Sequence, residues 1–318
     1  MKKTTSNITT KEFAKVVLGT MIIGLNNYEE SKALLDDAIN LGFNSIDTAW
    51  GYGDGDSERA LGQWMQERGN REQLFIITKG ALHNRDRLKV TPHDITSDLM
   101  DSLARLKTDY IDVYLLHRDD TNKPVGPIMD VLNEHHKAGR IRSFGGSNWS
   151  TTRIAEANAY AKANGLVPMT ASSPNFGLCE QVEDPWGLGC LTISGPNEAA
   201  SRLFYKEQDM PVFAYSSLGR GMLSGRVNRD NYREVLDNAA LKAYAHEVNF
   251  QRLDRARSLA KEKGVTVPQI GLAYVLNQQF KVFPIVGAAC KQELTEAAAA
   301  TDIVLSGEEI DWLDLGER

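Results

Sequence analysis

The sequence predicts an α/β fold built as one (β/α)₈ barrel, the TIM-barrel architecture, with long loops after the sixth and seventh strands. Three observations carry this. Eight short apolar or β-branched runs alternate with amphipathic stretches along the 318 residues. Several runs, such as Leu74-Phe75-Ile76-Ile77, are apolar without interruption, as parallel strands under a cover of helices are. No Gly-x-Gly-x-x-Gly turn follows the first run, which argues against an ordinary dinucleotide-binding open sheet.

The expected strands are Val16–Met21, Asn44–Thr48, Leu74–Lys79, Ile111–Leu116, Ile141–Ser147, Pro168–Ser173, Val212–Ser216 and Lys281–Val286. Between them, Tyr28–Leu41 carries Leu34, Leu35, Ala38, Ile39 and Leu41 at helical spacing, and Gly42 ends it. Ser57 precedes a helix through Met65. Thr91-Pro92-His93-Asp94 reads as a cap with proline at the first helical position, leading into Ile95, Leu99, Leu103 and Leu106. Ser150 caps a helix through Ala163, and Thr266 with Pro268 opens one that runs to Asn277. No linker breaks the rhythm, so residues 1–318 are read as one domain. Two longer segments, Phe176–Pro196 and Gly219–Asn249, follow strand ends, where barrel enzymes place binding loops.

The composition, 42 % hydrophobic and 25 % charged, is ordinary for a globular protein. A formal net charge of -6 argues against a nucleic-acid binder, which carries a basic face. Cys179, Cys190 and Cys290 form no Cys-x-x-Cys pair and stand beside no histidine cluster. They are read as free, half-buried thiols in a reducing cytosol. Met1–Glu12 is polar and holds no signal-peptide core, and no apolar run is long enough to span a bilayer. The expectation is a cytoplasmic protein with neither a membrane nor a nucleic-acid partner.

Barrel chemistry sits at the C-terminal ends of the strands. The second strand runs into Asp47-Thr48-Ala49-Trp50-Gly51-Tyr52, the third ends in Thr78-Lys79, and the fourth in Leu115-Leu116-His117. Neighbouring strands would bring Asp47, Tyr52, Lys79 and His117 to one mouth. Carbonyl reduction needs a proton donor, and a free tyrosine, with a pKa of about 10, is too weak an acid for efficient transfer at neutral pH. A lysine cation beside it favours the phenolate. An aspartate holds that ammonium where desolvation would neutralise it. A neutral histidine can orient the substrate oxygen. Each residue alone has a plainer reading: Asp47 as a cap, Lys79 as a solvated charge, His117 as a structural group and Tyr52 as packing. The pattern of four is what points to catalysis. No cluster of His, Asp and Glu across strand ends has metal-ligand character.

Asp47-Thr48-Ala49-x-x-Tyr52-Gly53, Ile77-Thr78-Lys79 and Asp112-x-Tyr114-Leu115-Leu116-His117 resemble the catalytic segments of the aldo-keto reductase family, in order and spacing. The resemblance extends over Phe144–Asn148, Ala214–Gly219 and Pro284–Ala288. It implies an oxidoreductase that moves a hydride between NAD or NADP and an aldehyde, a ketone or the corresponding alcohol. By the same resemblance, Tyr52 is the general acid or base, Lys79 its modulator, Asp47 the partner of Lys79, and His117 the substrate-orienting group. Thr20, Met21 and Asp47 fall at cofactor-binding positions. Ser147 and Asn148 match carboxamide-binding positions, and Tyr215 the ring on which the nicotinamide stacks. Ser216, Leu218 and Arg220 fall beside the pyrophosphate, with Gly287 and Glu293 at the adenosine end. Plainer readings stay open here too, Ser147-Asn148 as a helix cap and Tyr215 as barrel packing.

The sequence departs from the family in two places. Ser173 stands where a glutamine usually reaches the carboxamide. The stretch Gly287–Glu293 has no arginine, and Glu293 would repel a 2′-phosphate while accepting bonds from a ribose diol, so the expected cofactor leans to NAD. Trp50, Trp149 and Trp186 are expected to wall a pocket for a flat ring or the apolar face of a sugar, with core packing as the alternative for each. Arg118, Asp119 and Asn175 are candidate hydroxyl binders. A monomer is expected. The competing function is a non-enzymatic cofactor-sensing module of the channel β-subunit type, which the complete tetrad disfavours.

Overall fold

A computed structural model describes residues 1–187 and 189–316. Leu188, inside the predicted loop Phe176–Pro196, and the last two residues lie outside that description. The chain opens with an antiparallel hairpin of β1 (Lys3–Ser6) and β2 (Thr9–Ala14). Eight parallel strands then close into a barrel: β3 (Val17–Gly19), β4 (Ser45–Asp47), β5 (Phe75–Gly80), β6 (Ile111–Leu116), β7 (Ile141–Ser147), β8 (Ala171–Ser173), β9 (Val212–Ala214) and β10 (Val282–Val286). Each strand pairs with the next in sequence, and β10 pairs with β3.

Each of the eight predicted strands is present, and the trimmed ends have physical causes. The run from Pro168 enters the sheet only at Ala171: proline has no N–H to donate, and the Asn158 side chain takes both the N–H and the carbonyl of Met169. The run from Val212 stops at Ala214, two residues before Ser216 turns left-handed with φ 54°. The hairpin was not expected, because its polar threonines were read only for the absence of an apolar leader. Its one aromatic residue matters most. Phe13 stacks on Phe75 at 4.5 Å and meets Phe283 edge-on at 5.0 Å, so it plugs the floor of the barrel. The chemistry is left to the opposite rim.

The helical cover contains α1 (Tyr28–Asn40), α2 (Asp56–Arg68), α3 (Pro92–Leu106), α4 (Val125–Lys137), α5 (Thr151–Ala163) and α6 (Ala199–Glu207). It continues with α7 (Tyr232–Val235), α8 (Asn238–Tyr244), α9 (Glu247–Lys263), α10 (Val267–Leu276), α11 (Lys291–Ala299) and α12 (Gly307–Leu315). Thr91 and Asp94 exchange side-chain and backbone bonds in a capping box, and Ser150 accepts from Arg153 N at 3.1 Å. The segment predicted as a loop over Gly219–Asn249 is partly helical: it holds α7, α8 and the start of α9. Among the described residues, no helix is long and apolar enough to cross a membrane.

Arg252 of α9 ties three distant pieces together. Its guanidinium, 1 % exposed, pairs with Glu180 of the long loop at 2.7 Å and Asp314 of α12 at 2.6 Å. Replacing Arg252 by Met strands two partly buried carboxylates and is expected to cost about 3 kcal/mol, read as a lower urea midpoint. An unchanged midpoint would show that the ion pairs add nothing to the fold.

Candidate active site

The strand register builds the site. Asp47 closes β4 opposite Ile77, and the next turn keeps bonding to β5: Thr48 N donates to Ile77 O, and Trp50 N to Lys79 O at 2.8 Å. Lys79 pairs with Leu115, and His117 N donates to Gly80 O at 2.7 Å. Four side chains from three neighbouring strand ends therefore share one rim. Tyr52 starts a turn in which Gly53, Asp54 and Gly55 all have positive φ (56°, 52° and 85°) before α2 begins. The glycines permit that reversal at little steric cost. Arg105 packs against Gly55, where a Cβ would lie 2.4 Å from its guanidinium.

The Lys79 ammonium donates three hydrogen bonds: to Asp47 Oδ1 at 2.6 Å, Thr48 O at 3.0 Å and Tyr52 OH at 3.2 Å. The His117 ring meets the Tyr52 ring edge-on, with centroids 6.0 Å apart. Burial works against the charged lysine, yet Asp47 and the phenol hold Lys79 above its ordinary value. It is thus an ammonium. Burial raises Asp47, and Lys79 opposes that rise. With the ammonium 2.6 Å from its carboxylate, the pair is read as ionised. Tyr52 differs from the sequence expectation. Burial pushes the phenol above its ordinary 10, and the lysine offsets only part of the rise. Lys79 therefore acts by opposing a desolvation that would otherwise be larger. Burial, with Lys79 and Arg118 nearby, drives His117 well below the ordinary histidine value, so the imidazole is neutral.

A cavity of about 650 Å³ runs from these groups to the start of α11. Asp47, Tyr52, Lys79, His117, Ser147, Asn148 and Tyr215 line its inner end; Met21, Trp186, Ser216, Leu218, Arg220, Gly287 and Glu293 line its remaining length. The donor set at the inner end fits a nicotinamide cofactor. Ser147, Asn148 and the half-buried Tyr215 line the cavity beside the tetrad, with the Ser147 hydroxyl between the Asn148 amide and the Ser173 carbonyl. A carboxamide suits that polar corner, and the Tyr215 ring suits its heterocycle. Asn148 itself is already engaged. Its amide oxygen accepts from Tyr215 OH at 2.7 Å and Leu191 N at 3.1 Å, and its nitrogen donates to His117 O and Ser147 Oγ. Its clearest task is to fix the Tyr215 ring.

Four expectations need correction. Trp50 does not line the cavity: its indole donates to Asp101 at 3.1 Å and lies between Lys89 and Arg105. Trp149 is core, 1 % exposed, because Gly146 lets its ring pack against β7 where a Cβ would clash at 2.4 Å. Thr20 does not line the cavity: its hydroxyl donates to Asp47 O and accepts from Ser57. Ser173 is not among the lining residues either, and its hydroxyl is fully buried. Of the other polar candidates, Asp119 is paired with Arg153 at 3.0 Å, Asn175 donates to Tyr244 OH and accepts from Thr192, both at 2.8 Å, and Arg118 lines the cavity. Sequence reading missed Leu82, His83, Ser224 and Arg226, all on the cavity wall. The first two lie just beyond the end of β5, a position that barrel geometry marks. The third and fourth belong to a Ser-Gly-Arg turn whose basic residue was a usable signal.

Trp186 is the predicted tryptophan that reaches the cavity. Its ring lies 6.3 Å from that of Tyr215, under the Arg220 guanidinium at 5.0 Å, and Arg220 is fixed by Asp237 at 2.5 Å. Asp184 anchors the loop by accepting from the backbone N–H groups of Trp186, Gly187, Gly189 and Cys190. Burial opposes its charge, but these donors keep its carboxyl below the usual range. Trp186→Ala is expected to raise KM for an aromatic aldehyde about fivefold to tenfold. Trp50→Phe should leave kcat/KM within about twofold while costing about 1 kcal/mol of stability through its lost bond. Steady-state kinetics and melting of the two variants check the contrast, and equal effects on KM would contradict it.

Known proteins resemble this chain along nearly its whole length. The model of the aldo/keto reductase family matches residues 15–315. Norsolorinic acid reductase B of Dothistroma septosporum is 26 % identical over 303 residues, covering 90 % of this chain and 71 % of the relative. A thermostable aldo-keto reductase crystallised with epalrestat superposes with a TM-score of 0.75 at 26 % identity, over 99 % of both chains. An aldo/keto reductase from Klebsiella pneumoniae, in complex with NADP and acetate, gives 0.72 at 26 %, over 95 % of this chain and 91 % of that one. Since the match runs nearly the full length of the barrel and of the strands that carry the four rim residues, the chain belongs to the aldo/keto reductase family and is an NAD(P)-dependent oxidoreductase of carbonyl and alcohol substrates.

Proposed function

We propose that Tyr52 protonates the carbonyl oxygen during reduction and takes the proton back during alcohol oxidation. The reading rests on one observation above all: the Lys79 ammonium touches both the phenol oxygen and the Asp47 carboxylate. As the phenol gives up its proton, the adjacent cation stabilises the charge that develops on its oxygen. Neutral His117 holds the substrate oxygen near that proton. A bound nicotinamide supplies or receives the hydride. Tyr215 supports the nicotinamide ring, and Ser147 serves its carboxamide. The protein's three free cysteines suit work in a reducing cytosol.

The substrate faces Trp186, Tyr52 and Leu82, a wall suited to a flat apolar carbonyl compound, with the aromatic aldehyde preferred over the sugar-like ketone. Purified protein should consume reduced cofactor with a panel of aromatic aldehydes. Absence of turnover on every aldehyde and ketone tried would overturn the reading.

At the adenosine end, Glu293 and Glu296 line the cavity, and Ala289 N donates to Glu293 at 2.8 Å, fixing a carboxylate there. Lys291 and Arg220 are tied to Asp37 and Asp237. These features favour the ribose diol of NAD. Arg226, on the same wall, favours the second reading, NADP, the form held by the Klebsiella relative. Affinities for NADH and NADPH, measured in the wild type and in Arg226→Gln, decide between them. A hundredfold NADPH preference that the variant abolishes would end the NAD reading.

A further inference from the structure

The inner end of the cavity holds a buried cation that the tetrad does not use. Arg118 follows His117, is 7 % exposed and lines the cavity. Among the described residues, no carboxylate lies within ion-pair distance of it, although its neighbours are rich in charge. Asp47 is paired with Lys79, Asp119 with Arg153, and Asp184 with four backbone N–H groups. The guanidinium donates only to its neighbour's carbonyl, His117 O, at 2.9 Å and to Cys190 Sγ at 3.3 Å, and its Nε is buried with no partner. Cys190 is no counter-ion, because burial pushes its thiol up to about 11. His83 and His117 are held below the ordinary histidine value, so neither adds or cancels charge at neutral pH.

An unpaired buried guanidinium is costly, and a planar fork of N–H donors matches a carboxylate better than it matches any neutral group. With Asp47 and Lys79 paired to each other, Arg118 is left at the reacting end without an ion-pair partner among the described residues. We propose that Arg118 selects carbonyl substrates that bear a carboxylate, and that the substrate's anion completes the ion pair the protein leaves open. The inference rests on the carbonyl-reductase reading above and names its substrate class: aromatic oxo-acids, with the ring against Trp186 and the acid group on Arg118.

The test compares 4-carboxybenzaldehyde with 4-carbamoylbenzaldehyde, which has nearly the same shape and no charge. In the wild type the kcat/KM ratio should favour the acid by about tenfold to a hundredfold. In Arg118→Gln the ratio should fall to about one. Arg118→Lys, which keeps the charge without the fork, should lie between. Calorimetry on the enzyme loaded with oxidised cofactor gives a readout independent of turnover, with benzoate binding more tightly than benzamide only when Arg118 is present. A ratio that is the same in wild type and Arg118→Gln overturns the proposal. So does a variant that loses cofactor affinity about tenfold with its ratio intact, since the arginine would then serve the cofactor's pyrophosphate. If no aldehyde is turned over, the reductase reading falls, while the benzoate and benzamide affinities still decide the role of Arg118.

Discussion

Tyr52→Phe is expected to lower kcat for aldehyde reduction by about a thousandfold, with reduced-cofactor affinity within about twofold of wild type. The substitution removes one oxygen from a ring whose edge still packs against His117. Among the described residues, neither Lys79 nor His117 bears a proton suited to replace it. Lys79 is held as an ammonium by Asp47, and His117 is neutral with Nδ1 buried and unpartnered. The missing hydroxyl also deprives Lys79 of its third acceptor, leaving Asp47 and Thr48 O. One lost bond from a charged donor costs about 1.5–3 kcal/mol of stability at most. Kinetics and melting therefore separate the chemical effect from the structural one. A variant that keeps more than a tenth of wild-type kcat would remove Tyr52 from the mechanism.

Most of the barrel was legible because its strands are continuous apolar runs and because its principal caps are local events. Thr91-Pro92-x-Asp94 and Ser150 declare their helices within four residues. The tetrad was legible for a related reason: a parallel barrel puts every strand end on one rim, so order and spacing suffice to predict that Asp47, Lys79 and His117 meet. The errors came where rotamer and packing decide. Trp50 lies two residues before Tyr52, but its indole turns toward Asp101 between Lys89 and Arg105, and no periodicity encodes that choice. Trp149 follows Ser147-Asn148 closely and was read as a pocket wall. It is core because Gly146 leaves room for its ring. Arg118 was read as one polar neighbour among several. Its distinction, a missing counter-ion, emerges only when Asp119 is found committed to Arg153 and Asp184 to the loop backbone.

Lys79→Met gives the second large effect, and its pH dependence has a definite sign. The ammonium opposes the burial that raises Tyr52, so its removal raises the phenol further. At neutral pH the phenol is protonated with or without Lys79. The expected loss of about a hundredfold or more in reduction therefore comes from the developing phenolate, which no longer has a cation 3.2 Å away. Oxidation needs the phenolate from the outset, so its rate climbs as pH rises, and in Lys79→Met that climb should begin at a higher pH. Stability shifts through Asp47, which burial alone would then raise without an ammonium to oppose it. A carboxyl whose folded pKa lies above its unfolded value makes the folded state bind the extra proton, so stability falls as pH rises through that range. Lys79→Met should thus be most stable in mild acid and lose about 3–5 kcal/mol toward neutrality. Adding Asp47→Asn removes the buried charge and should restore most of that stability at neutral pH, with reduction still about a hundredfold or more below wild type. If the double variant recovers turnover along with stability, Lys79 is a structural counter-ion and the proton-transfer role assigned to the pair is wrong.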